Sequence, residues 1–212
     1  KSQLPDNLQL YFDLTEKMGK LAAQLAKGRP EMIQIVMVGK NFEEDLCERK
    51  FDVPFSFQPF TIAGLKGFLS VSIQESVTYI NAPYVAKDRN IVVEETKTAQ
   101  FDKFNDLIIF TLRTDQGEMN IAGTVFSDKL GRIVLLDRFH LDVIPKGTFL
   151  HFKIFDRPGI IGKVGTILGD HNINIAGFGV SRQKSGEELA FVSVDDPIRS
   201  HVLDDILKID GM

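Results

Sequence analysis

The run Phe149-Leu150-His151-Phe152-Lys153-Ile154-Phe155-Asp156-Arg157-Pro158-Gly159-Ile160-Ile161-Gly162 passes from strand chemistry to helix chemistry through a single turn. Its first seven residues are rich in the aromatic and branched types that suit a half-buried strand. Pro158 has no N–H to give a ladder, and Gly159 can adopt backbone conformations closed to other residues. Working outward, the patterning predicts a strand over 149–155, a helix over 160–168, strands over 173–181 and 189–194, and a helix over 198–207. That order, β-α-β-β-α, is one strand short of the ferredoxin-like β-α-β-β-α-β unit. The last strand should begin where the sequence stops, at Met212, so we expect truncation or a disordered tail.

Upstream the pattern is different. Leu14, Met18, Leu21 and Leu25 recur at helical spacing, and Gly28 with Pro30 ends that helix, read as residues 8–27. A β-branched run at 32–38 reads as a strand, and 41–57 as irregular. Helices are expected over 61–74 and 81–88, the second with Asn81 as its cap and Pro83 near its start. Strands at 91–93, 107–112, 119–126 and 133–136 follow, with turns at Asp115–Gly117 and Asp128–Gly131. Pro145-Lys146-Gly147 marks a boundary. The fold class is therefore α+β, two tandem α/β-sandwich-type domains: a leading helix in 1–29, a first domain over 30–147 and a ferredoxin-like second domain over 148–212.

The 212 residues are 43% hydrophobic, enough for a core in each domain. With 25 basic and 29 acidic side chains, the net charge of −4 offers no broad attraction for nucleic acid or an anionic membrane. No apolar run reaches the roughly 20 residues of a membrane span. The single cysteine, Cys47, excludes a disulfide framework and points to the cytoplasm. Its acidic neighbours disfavour a thiolate, so it reads as a bystander. The chain begins with Lys1 rather than Met, as a fragment or processed product would.

Motifs for nucleotide binding are missing: neither G-x-G-x-x-G after a strand nor a phosphate-binding G-x-x-x-x-G-K-[ST] occurs. His140, His151, His171 and His201 are dispersed and never pair at metal-ligand spacing, so no metal is expected. The turn at 156–162 is the informative site. A helix starting near Ile160 presents unpaired N–H groups and a positive dipole end, which suit a carboxylate. Asp156 just ahead of it could accept from an ammonium group, and Asn174 could add an amide contact across an interface. Together these would read a small zwitterion. The plainer alternative makes Asp156 a helix cap and Asn174 a strand-end hydrogen bond. In the first domain Gly123, Thr124, Lys129 and Arg132 could hold a phosphorylated or carboxylated ligand; the alternative there is a glycine bulge beside a solvated basic turn. Asn105 and Asp106 read as solvated.

At this point the chain resembles a known family. Tyr11 to Leu25 looks like the segment that leaves the catalytic portion of D-3-phosphoglycerate dehydrogenases. Ala63-Gly64-Leu65-Lys66-Gly67, Tyr79-Ile80-Asn81-Ala82-Pro83 and Ala122-Gly123-Thr124-Val125-Phe126 with Arg132-Ile133-Val134 resemble the allosteric-substrate-binding domain of the long form. Asp156-Arg157-Pro158-Gly159 with Asn172-Ile173-Asn174-Ile175-Ala176 resembles the ACT domain. The resemblance implies a regulatory portion with no catalytic residue and no cofactor of its own, the NAD site and the catalytic Arg, Glu and His lying upstream in the parent. It implies side-by-side pairing of ACT domains into a homo-oligomer, with L-serine, the end product of the pathway, bound between them. Asp156 would then hold the serine ammonium, the N–H groups of Gly159, Ile160 and Ile161 its carboxylate, and Asn174 would reach in from the partner domain.

One position departs from the family pattern: two residues before the aspartate a polar His, Tyr or Asn is usual, and here stands Ile154. It supports a second reading, a structural oligomerisation platform that no longer binds serine. A third, the small chain of a bacterial L-serine dehydratase, calls for a cysteine-rich cluster site that one cysteine cannot provide.

Overall fold

The computed structural model describes residues 4–43, 57–98, 104–155, 157–182 and 187–211. Asp156, Cys47 and most of the stretch read as irregular, 41–57, lie outside them. The chain divides into two compact units, the first ending at Asp137 and the second beginning at Arg138.

In the first unit a 20-residue helix, α1 (Asp6–Leu25), precedes strand β1 (Pro30–Val38), helices α2 (Pro59–Ser72) and α3 (Ala82–Asp88), and strands β2 (Val92–Thr98), β3 (Leu107–Thr114), β4 (Gly117–Val125) and β5 (Gly131–Leu136). These strands lie in the order β2-β1-β3-β4-β5. Only β1–β2 is parallel. Phe110, Ile121, Ile35 and Gly123 share one face of the pleat, and both long helices lie on it. α1 covers β4 and β5 through Leu14 and Met18, while α2 covers β1 and β3 against Ile35 and Phe110.

The two helices approach each other at backbone distance. A Cβ on Gly67 would sit 2.0 Å from the carbonyl oxygen of Glu16, and one on Gly19 would sit 2.2 Å from that of Gly64. Glycine here is a requirement of contact, and it explains the Ala63–Gly67 motif. α2 starts without a side-chain cap of its own. Glu95, from strand β2, serves instead: its Oε2 accepts from the Gln58 N–H at 2.9 Å and from the Thr61 hydroxyl at 2.6 Å.

Beside the helix contact, Glu16 collects three donors: Lys20 at 2.8 Å, Lys66 at 2.5 Å and the Tyr79 hydroxyl at 2.5 Å. Lys66 also lies 5.1 Å from the centre of the Tyr79 ring. Burial alone would raise the carboxyl pKa, but the hydrogen bonds from Lys20, Lys66 and Tyr79 outweigh it and hold it at about 2. A depressed carboxylate stabilises the fold fully above its ordinary titration range and loses that contribution as pH falls from the ordinary value through about 2. Replacing Glu16 by Gln is therefore expected to lower stability by about 1–3 kcal/mol at pH 7. The difference from the parent should shrink between pH 5 and pH 2, which denaturant titrations at stepped pH would register.

Several local expectations are corrected. Asn81 occupies the cap position of α3, but its side chain makes no cap bond to that helix. It turns back, accepting from the Thr78 N–H at 2.7 Å and donating to the Ser76 carbonyl at 3.1 Å. Asp106 is not simply solvated: it accepts from the Asn41 N–H at 3.1 Å and the Asn41 side-chain amide at 2.7 Å. A strand, β6 (Phe139–Val143), was not expected. It is five residues long, and its inner Phe139 is too brief a signal to read as a period.

The second unit holds β6, then β7 (Thr148–Phe155), α4 (Ile160–Asp170), β8 (Ile175–Arg182), β9 (Glu187–Val194) and α5 (Ser200–Leu207). β7, β9 and β8 form an antiparallel sheet in that order. This is the expected β-α-β-β-α succession, and the fold class is α+β with tandem units. Leu150, Ile154, Val192 and Val194 from the sheet pack against Ile160, Val164 and Leu168 of α4 and Val202 and Ile206 of α5. Those helical residues recur at four-residue intervals, so one stripe of each helix meets the sheet.

Candidate functional site

The turn between β7 and α4 is built by two residues with opposite backbone habits. Pro158 fixes its own φ, and Gly159 takes φ +93°, a left-handed conformation. A Cβ on Gly159 would meet nothing within 4 Å, so conformation rather than crowding requires glycine there. Gly159 stands at the cap position of α4 and has no side chain to bond the helix start. The first backbone bond into the helix runs from the Lys163 N–H to the Gly159 carbonyl. Among the described residues no backbone acceptor meets the N–H groups of Ile160, Ile161 and Gly162, and the first-turn N–H groups of a helix are those that can receive an anion. Ile160 anchors this turn in the core at 2% exposure, whereas Ile161 points outward at 41%. Arg157 is exposed and reaches Asp210 at 3.3 Å.

Asn174 lies elsewhere. Its side-chain amide donates to Asp195 at 2.6 Å, and its carbonyl accepts from the Asp195 N–H at 3.2 Å. Ile175 pairs with Val194, which pairs with Thr148, so Asn174 sits at the start of β7 while the 157–161 turn follows its end. Eight residues of strand separate them, roughly 25 Å. One copy of the chain does not bring the five expected effector residues together.

Ile154, the departure from the family pattern, is 4% exposed and faces the helices within the core. In this fold it is a packing residue, and it offers no room for a polar group aimed at a ligand.

Three of the four first-unit residues, Gly123, Thr124 and Arg132, make contacts within the unit. A Cβ on Gly123 would fall 2.8 Å from Met18 Sδ and 2.9 Å from Leu14 Cδ2, and the β4–β5 register shifts between Ala122 and Gly123. The buried Thr124 hydroxyl donates to the Asp106 carbonyl at 2.6 Å and lies 3.2 Å from the Tyr11 hydroxyl. Burial, ahead of its hydrogen bonds, pushes the Tyr11 pKa up. Arg132 pairs with Asp128 and stacks 5.2 Å from the Phe126 ring. Lys129 takes φ +61° at the tip of the β4–β5 turn and donates its N–H to the Phe126 carbonyl.

Sequence spacing missed one cluster. His171, just past α4, and His201, in the first turn of α5, come within 5.1 Å of each other, ring centre to ring centre. Thirty residues separate them in sequence, so only the return of α5 beside α4 could reveal the pair. Among the described residues no three His, Cys, Asp or Glu side chains group as metal ligands, and no helix is long and apolar enough to cross a membrane.

Fold and turn together define a tandem α+β chain whose second unit is ferredoxin-like, with a helix that starts at a left-handed glycine. Residues 7–137 match the model of the D-3-phosphoglycerate dehydrogenase intervening domain, and residues 149–211 match that of the ACT domain. The chain thus belongs to the D-3-phosphoglycerate dehydrogenase family, as its intervening domain followed by an ACT domain. It is 35% identical over 208 residues to the D-3-phosphoglycerate dehydrogenase of Synechocystis sp., covering 98% of this chain and 36% of that one. Against the Archaeoglobus fulgidus enzyme of the same name it is 32% identical over 205 residues, 95% and 37% of the two chains. Against the Bacillus subtilis enzyme it is 29% identical over 200 residues, 94% and 36%. The chain spans little more than a third of the length of these relatives.

Proposed function

We propose that the chain is the C-terminal regulatory and oligomerisation portion of a cytoplasmic D-3-phosphoglycerate dehydrogenase, with its ACT domain the L-serine feedback sensor of the serine-biosynthetic enzyme. NAD and the dehydrogenase chemistry would belong to a catalytic portion outside this sequence. The observation that carries the reading is the left-handed Gly159 at the start of α4, where a helix offers its first N–H groups. A serine carboxylate would bind the N–H groups of Gly159, Ile160 and Ile161, and Asp156, next to the turn in sequence, would take the ammonium.

Asn174 joins the site only from a second copy. Because it sits one strand length from the turn, a two-fold related copy running antiparallel along the sheet would set the Asn174 of one protomer against the 157–161 turn of the other. Serine would then bridge two chains and favour the paired state, and allostery follows if that pairing differs between active and inhibited enzyme. A phosphorylated acid at Lys129 and Arg132 has weaker support, since Gly123 and Thr124 are engaged by α1 and Asp106.

Calorimetric titration of the chain with L-serine tests the sensor. Saturable binding that disappears in Asp156→Ala, together with serine-enhanced association in sedimentation, is the expected result. Association without serine binding would replace it with the platform reading, and a monomer with and without serine would overturn both.

A further inference from the structure

A hollow of about 520 Å³ lies in the ACT unit, between the turn that follows α4 and the segment that leads into α5. Its lining joins apolar side chains to one fixed charge of each sign. Val202 is 1% exposed, and Ile173 and Ile198 pack on the same core cluster, so these three make an apolar floor. The charges are Asp196 and Arg199, three residues apart on the approach to α5 and both exposed. Among the described residues neither side chain makes an ion pair or a hydrogen bond, with the other or with any other group. Asp195 and Asp205, close by, are engaged, by the Asn174 amide at 2.6 Å and by Lys208 at 2.8 Å. One open guanidinium, one open carboxylate and an apolar floor suit an aliphatic amino acid. A guanidinium donates two parallel N–H bonds to the carboxylate of such a ligand, the ligand's ammonium donates to an aspartate, and its side chain leaves water. The volume falls within the roughly 300–1,000 Å³ of small-molecule pockets, where a few polar groups fix the orientation.

We propose that this hollow is a second ligand site of the ACT unit, taking a free aliphatic amino acid. Arg199 holds its carboxylate, Asp196 its ammonium, and Ile173, Ile198 and Val202 its side chain. The site is separate from the 157–161 turn and stands whether or not that turn binds serine. Ile173 precedes β8 and Asp196 follows β9, at the end of the sheet where β7 starts, whereas the turn follows the end of β7. All of its residues come from one copy of the chain, so it needs no partner. Water competes for two exposed charges, so the affinity is modest. An occupant touches the α4–β8 turn and the start of α5 at once and ties them together.

The test is calorimetric titration of the full 212-residue chain with L-valine and with isovalerate, the same carbon skeleton without the ammonium group. L-Valine should bind at one site per chain, and Arg199→Gln should weaken it about tenfold or more. Asp196→Asn should weaken L-valine to a similar degree yet leave isovalerate binding at the parent level, because only valine carries the ammonium. Both substitutions fall on exposed side chains, so unfolding midpoints should stay at the parent value. Asp156→Ala should bind L-valine as the parent does. A folded parent that gives no heat with L-valine would overturn the site, as would undiminished binding by Arg199→Gln. Loss of L-valine binding in Asp156→Ala would move the amino acid to the 157–161 turn and end the proposal equally.

Discussion

Gly67→Ala will unfold or grossly destabilise the first unit, although alanine is the better helix former. In an open helix the exchange gains about 1 kcal/mol. Here the new methyl group would lie 2.0 Å from the carbonyl oxygen of Glu16 and 2.9 Å from its carbon, both backbone atoms that cannot swing aside. Helices α1 and α2 must separate, and every contact they share loosens with them, including the lysine pairs on Glu16. A loss of about 3 kcal/mol or more is expected, at the high end for a single substitution. Gly19→Ala should behave alike, because its Cβ would meet the Gly64 carbonyl at 2.2 Å and the Phe68 nitrogen at 2.8 Å. The control lies in the second unit. Gly162 and Gly165 sit inside α4 with nothing within 4 Å of an added Cβ. Gly165→Ala should therefore raise the unfolding midpoint where Gly67→Ala lowers it, and one set of thermal melts reads both signs. A folded, undiminished Gly67→Ala protein would sink the close-approach account.

The second large effect concerns Ile154. If this position were a ligand contact that has drifted from polar to apolar, restoring a polar residue should restore serine binding at little cost. Its place in the fold argues the reverse. Ile154 is 4% exposed and packs with Leu150, Ile160, Val164 and Val192. Ile154→Asn leaves a void and buries an amide without a partner, at a cost of about 3–5 kcal/mol. Urea unfolding should show the second unit melting early, and serine affinity should fall with it. A stable variant that bound serine more tightly than the parent would place Ile154 in the site after all. Its presence thus says little against a serine sensor, and the platform reading loses its chief motive.

The ACT half was legible in the sequence because its periods are clean. Strand 149–155 gives way to helix 160–168 at Pro158-Gly159, and both the proline and the left-handed glycine act within a residue or two. Local rules suffice for local events. They failed where a side chain had two possible directions: Asn81 stands at a helix start, yet its amide turns to Ser76 and Thr78. They were silent on the cap of α2, which comes from Glu95, more than thirty residues further along the chain.

By itself the sequence determined the element types other than the short strand β6, the α+β succession and the turn at 157–161, since each depends on backbone preference and hydrophobic period within a short window. Tertiary structure decided which side chains meet. It made Gly64 and Gly67 contact surfaces between helices, directed the Thr124 hydroxyl to the Asp106 carbonyl, and put Ile154 in the core. It also set Asn174 a strand length from the turn of its own copy, and brought His171 to His201. The physical reason is common to all of these: period and propensity fix which face a residue occupies, whereas what that face touches depends on elements distant in sequence, folded against it.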